Sequence, residues 1–188
     1  MIRKSIFTFV IFGIIAFVIA FGLGSILTMT TGIPLIGGLF NGVLTGIVLT
    51  VGLLSRRFYF GATIMWIAFA LAATITTTLG PPGIYKVAIG LIAGLLWDLV
   101  YSWISKYNKW GLIVGGLIGS ASIMFSMVFF LRAGFGEDAM IALEKYENQF
   151  LVIILMNLVI TLVGMLLGIQ LYNKRLKNLN QFRNLANY

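Results

Sequence analysis

The sequence predicts an all-α membrane protein, a compact bundle of six transmembrane helices, on three observations. Of its 188 residues, 60% are hydrophobic and 10% charged, where a soluble domain carries roughly 25% charged residues. The apolar residues fall into six runs, each close to the roughly 20 residues that a helix needs to cross ~30 Å of hydrocarbon. The thirteen Lys and Arg and five Asp and Glu are bunched instead of spread. So few charges cannot cover a water-facing surface, and a soluble globular protein is excluded.

The expected spans are 5–27, 33–54, 59–79, 84–105, 110–131 and 150–172, within a single domain over 1–188. The first follows Arg3-Lys4, and its apolar run is longer than the h-region of a signal peptide. Further spans follow it, so it reads as a retained helix. The second opens near Pro34, tolerated in a first turn because its missing N–H would have been an orphan there. Gly80-Pro81-Pro82-Gly83, between the third and fourth, is the strongest turn signal in the chain. The fourth and fifth are separated around Lys106 and Lys109. The longest connection, Arg132 to Gln149, holds Gly134, Gly136 and a mixed-charge stretch, 137–147, whose spacing permits a short amphipathic helix on the membrane surface. A basic tail, 173–188, extends the last helix toward water.

Orientation follows from the basic residues. Arg3, Lys4, Arg56, Arg57, Lys106, Lys109, Lys174, Arg175, Lys177 and Arg183 share one side of a six-span arrangement, and Lys86, Arg132 and Lys145 the other. That bias places both termini in the cytoplasm. Glu137, Asp138, Glu144 and Glu147 then sit in the last external loop. The net charge of +8 is a topology signal whose ordinary partner is anionic lipid, and it calls for no nucleic acid.

The chain has no His and no Cys. Zinc sites on those ligands, Ser–His triads, thiol catalysis and disulfides are therefore excluded. It also lacks a Gly-x-x-x-x-Gly-Lys-Ser/Thr loop, so nucleotide hydrolysis through a P-loop is not its work.

Small residues recur every four positions: Ala16, Ala20 and Gly24; Gly38, Gly42 and Gly46; Gly90 and Gly94; Gly115 and Gly119; Gly164 and Gly168. A four-residue step returns to nearly the same helix face, so each series is a smooth stripe for a neighbouring backbone, inside the bundle or in a partner subunit. Polar groups within the spans are few. Asp98 is the one acid there, with a structural partner or a functional role as its two readings. Asn41 and Asn157 fall about two turns below the external surface, where an outward pocket has its floor, and an interhelical hydrogen bond is the other reading. Lys86 either snorkels to the headgroups or, with Tyr85, presents a cation and a hydrogen-bonding ring to a ligand. Ser122 and Ser126 share a face of the fifth span.

This arrangement resembles the substrate-binding S components of energy-coupling factor (ECF) vitamin transporters. The resemblance rests on six spans in under 200 residues, both ends cytoplasmic and a Gly/Ala-rich first helix. It also rests on the run from Gly80-Pro81-Pro82-Gly83 through Gly90-Leu-Ile-Ala-Gly94-Leu-Leu-Trp-Asp98. It implies a multi-pass protein of the cell membrane that captures a small water-soluble vitamin or precursor in an outward pocket. A membrane scaffold subunit and two cytoplasmic ATPases would supply the energy, in keeping with the missing P-loop. The family's contact surface on the first helix corresponds to Ala16 and Ala20, with Gly24 extending it. The candidate ligand set is Asn41, Tyr85, Lys86, Ser122, Ser126, Glu147, Asn148 and Asn157. The four external acids point to a cationic or amine-bearing ligand such as thiamine or its pyrimidine part. Two other readings stand beside this one: a non-transporting scaffold subunit held by its small-residue stripes, and a lipid-modifying enzyme. The second lacks the clustered acids or the base that such chemistry needs. The protein is expected to bind and not to catalyse, without a cofactor or metal.

Overall fold

The computed structural model describes residues 2–31, 34–56, 58–76, 82–105, 109–134 and 150–176. They form six α-helices: α1 (Ile2–Thr31), α2 (Pro34–Ser55), α3 (Gly61–Ala73), α4 (Tyr85–Ser105), α5 (Lys109–Gly134) and α6 (Phe150–Leu171). A π-helical turn, Tyr172–Leu176, continues α6. No strand occurs among the described residues. Stretches of α1, α4, α5 and α6 are long and apolar enough to cross a membrane, which makes this a helical membrane protein. The acidic connection 135–149, with its expected surface helix, lies outside the described residues, as does the tail beyond 176.

The helices close into a ring. α1 packs on α2 and α3, α2 on α6, α6 on α5, α5 on α4, and α4 on α3. Small residues set the close approaches inside that ring. Gly46 of α2 meets Gly164 of α6, where an added Cβ would sit 3.2 Å from the Gly164 Cα. Gly13 of α1 packs on the Met65 and Ala68 turn of α3. Gly115 and Gly119 of α5 receive Trp97 and the Ala93 carbonyl of α4. Phe9, Leu49, Met65, Ile89, Trp97, Leu112 and Met165 fill the centre, all essentially inaccessible. The outer faces are apolar too: Phe7, Val18, Leu99, Phe129, Leu151 and Val159 are exposed. In lipid this is the expected distribution, because the solvent is as apolar as the core. At one end of the ring the Arg56 guanidinium donates to Ser5 Oγ at 3.0 Å, tying the end of α2 to the start of α1.

α3 departs from its expected bounds of 59–79. It has 13 residues, a length of about 20 Å at ~1.5 Å per residue. Its threonines explain the early stop. The Thr74 hydroxyl donates to the Leu71 carbonyl at 2.7 Å and the Thr76 hydroxyl to the Ala73 carbonyl at 3.0 Å. The Thr74 and Thr76 backbone N–H groups donate to the same two carbonyls. These short-range bonds replace the α-helical ladder and turn the chain. The Gly83 N–H then donates to the Thr74 carbonyl at 2.8 Å, closing the connection before α4.

Candidate functional site

The ring surrounds a partly open cavity of ≈160 Å³ to which all six helices contribute. Its walls differ in chemistry. Trp66 and Phe69 of α3 and Trp97 of α4 form an aromatic side. Ser120 of α5 and Asn157 and Thr161 of α6 form a polar side, and Thr45 of α2 adds a hydroxyl. Ala20, Gly42, Gly46 and Gly116 make room by their small size, and Leu49, Ile123 and Met124 complete the lining. None of these residues is charged.

The polar side is a connected network between α5 and α6. Asn157 Nδ2 donates to Ser120 Oγ at 2.8 Å and to the Ser120 carbonyl at 3.5 Å. Ser120 Oγ and Thr161 Oγ1 share a hydrogen bond of 2.9 Å. Asn157 and Thr161 are four residues apart on α6, so both reach the same face. The bonds fix the amide with its nitrogen toward Ser120, and Asn157 Oδ1 has no partner among the described residues. On the opposite side the rings are held edge-on, Trp66 and Phe69 with centroids 5.3 Å apart. The Trp97 indole N–H donates to the Leu112 carbonyl at 3.1 Å, while the buried Trp66 indole nitrogen makes no hydrogen bond.

Of the residues expected to bind ligand, the cavity wall includes Asn157. Lys86 is fully buried, and its Nζ donates to the Ala73 carbonyl at 2.9 Å and to the Thr76 carbonyl. Tyr85 is half-buried, its ring 6.2 Å from that of Phe130. The Ser122 hydroxyl donates back to the Gly119 carbonyl at 2.7 Å. Ser126 is half-buried on α5 and is not part of the wall. The Asn41 side chain, Glu147 and Asn148 lie outside the described residues, as do the surroundings of Gly24. Ala16 and Ala20, expected on a partner surface, are buried within the bundle at 0% and 4% exposure.

The structure adds Trp66, Trp97, Thr45, Ser120 and Thr161 to the site. Two spacings signal part of it, Gly116 with Ser120 and Asn157 with Thr161, each a four-residue step that puts a polar group and its neighbour on one face.

Asp98 belongs to a different construction. Its carboxylate is buried and accepts from the Ala62 N–H at 3.1 Å, the Thr63 N–H at 2.8 Å and the Thr63 hydroxyl at 2.6 Å. These are first-turn donors of α3, whose N-cap residue, Phe60, has no side chain able to accept them. Lys86 serves the other end. Both charges therefore meet the dipole of α3 with the favourable sign. Gly90 and Gly94 lie between them at four-residue steps and let the two backbones touch: a Cβ at Gly94 would sit 2.8 Å from the Thr63 nitrogen. Among the described residues no group of three or more acids, His or Cys is placed to hold a metal.

No protein-family model, curated protein or solved structure matches the chain.

Proposed function

We propose that this protein is the substrate-capture subunit of an importer of the ECF type. It spans the cell membrane six times with both termini in the cytoplasm, and binds a small water-soluble vitamin or vitamin precursor from outside. A membrane scaffold subunit and two cytoplasmic ATPases then drive release inside. The observation that carries this reading is a cavity lined by all six helices, apolar and aromatic on one side and hydrogen-bonding on the other. Such a composition is that of a binding pocket, in which a few placed polar groups fix orientation. The cavity lies about midway through the bundle. Asn157 stands seven residues into α6 and Gly42 eight into α2, and Trp66 stands five into α3 and Gly116 seven into α5, which start at the opposite side. The lining is thus about 8–12 Å from the helix starts on either side.

The charge arrangement supports the same reading against a lipid-modifying enzyme. Asp98, the acid within the spans, accepts from three donors of α3, which supports a structural role for it over that of a base or metal ligand. The scaffold alternative relied on small-residue stripes as outer surfaces, and the stripes on α2, α4, α5 and α6 meet neighbours within the ring.

The test is purification from a native membrane followed by mass spectrometry of bound small molecules and associated proteins. A vitamin-like compound together with an ATPase pair is the expected result. A complex without nucleotide-binding subunits, and no stabilisation by a vitamin panel, overturns the proposal.

A further inference from the structure

We infer that the cavity takes an uncharged single-ring molecule that lies against the aromatic side and donates a hydrogen bond to Asn157 Oδ1. This rests on the importer reading and deepens it by naming the ligand class.

Size sets the first limit. A volume of ≈160 Å³ corresponds to roughly five waters, and a cavity of about 150 Å³ accommodates a benzene ring. One six-membered ring with a short substituent fits within it, and a two-ring vitamin would extend out of the cavity or require movement of the walls.

Charge sets the second. Among the described residues the wall carries no ionised group. The two ionisable side chains of α4, Lys86 and Asp98, are both buried and bonded to the backbone of α3. A charged ligand would thus meet no counter-charge among the described residues of the wall, which is strongly unfavourable in an apolar bundle. The external acids, which lie outside the described residues, can raise the local concentration of a cation.

Hydrogen bonding sets the third. Ser120 holds the Asn157 amide by its nitrogen, so the amide presents an acceptor and selects a ligand with an N–H or O–H. The indoles of Trp66 and Trp97 and the ring of Phe69 present aromatic surface to the ring itself.

The experiment uses the full chain in lipid nanodiscs and three probes that share one ring and differ in charge: nicotinamide (neutral, with an amide N–H), nicotinate (anion) and 1-methylnicotinamide (cation). Benzamide and 2-aminopyrimidine extend the neutral set. Tryptophan fluorescence and thermal melting report binding. At least one neutral probe is expected to bind and raise the melting temperature, with the charged probes at least about tenfold weaker. Asn157→Leu should weaken the neutral probe by about tenfold, with its ligand-free melt recorded to show that it folds. Asn157→Asp, nearly isosteric, should shift preference toward the cation and serves if the leucine variant does not fold. Equal or tighter binding of the cation to the unmodified protein would mean an aromatic cage and overturns the inference. So does binding of the anion, or binding of no neutral probe. If a charged vitamin stabilises the protein while every neutral ring fails, the importer reading stands and this inference falls. If a neutral ring binds but no ATPase pair accompanies the protein, the reverse holds.

Discussion

Lys86 and Asp98, on one face of α4, hold opposite ends of α3: the ammonium takes the Ala73 and Thr76 carbonyls and the carboxylate takes the Ala62 and Thr63 amides. Twelve positions separate them in the sequence, about 18 Å along the helix, which matches the length of the helix that they hold. Neither group meets the other, and both are satisfied by backbone.

Removing the carboxylate leaves three buried donors without an acceptor. Asp98→Ala is expected to lower stability by about 2–4 kcal/mol, read as the shift in thermal unfolding in detergent. Asp98→Asn retains one acceptor oxygen and should fall between it and the parent. A melt of Asp98→Ala equal to that of the parent would remove the capping role.

Lys86→Met keeps the stem and loses the charge, removing the ammonium donor from the Ala73 and Thr76 carbonyls at the end of α3. The expected loss is about 1–2 kcal/mol. Because the two charges are so far apart, the double variant with Asp98→Asn should be additive to within about 0.5 kcal/mol. A larger coupling energy would show that α3 transmits one end to the other.

The glycines of α4 separate close approach from mere helix content. Gly94→Ala drives a methyl into the α3 backbone and is expected to cost about 1–3 kcal/mol. A Cβ at Gly22 of α1 meets nothing, so Gly22→Ala should be neutral or stabilise by up to about 1 kcal/mol. Matching melts for the two variants would contradict the packing described for α3 and α4.

In the proposed capture role, Ser120 would act on ligand through Asn157. Ser120→Ala removes the Oγ acceptor of the amide and frees it to turn, so affinity for the captured molecule should fall by about three- to tenfold. Stability should change by about 1 kcal/mol or less. Ser122→Ala, whose hydroxyl bonds its own helix, serves as the control and should leave affinity unchanged. Equal effects of the two would dissociate the α5–α6 network from binding.

Much of this architecture is legible in the residues. Six apolar runs became six helices, and Asn157 stands out because an amide within an apolar run needs a partner. The four-residue steps of Gly90, Gly94 and Asp98 mark a face, but not the neighbour that it meets, since that depends on the ring order of helices. For the same reason Lys86 reads as a snorkelling or ligand-binding side chain when it is in fact turned inward to α3. Aromatic residues were the least legible. Trp66 and Trp97 are buried while Trp103 and Trp110 are exposed, and in a lipid-soluble helix both positions suit the same side chain. The end of α3 was missed because a threonine hydroxyl competes for backbone carbonyls only where the local geometry allows it.

α3 is completed by groups that the chain supplies only later. The first amides of α3 wait for Asp98, and its last carbonyls, already bonded by Thr74 and Thr76, gain Lys86 as a further donor. The α3–α4 hairpin is thus the smallest unit that can be lodged in lipid with both ends of α3 provided for. A chain that stops before α4 lacks the acceptor for the first amides of α3.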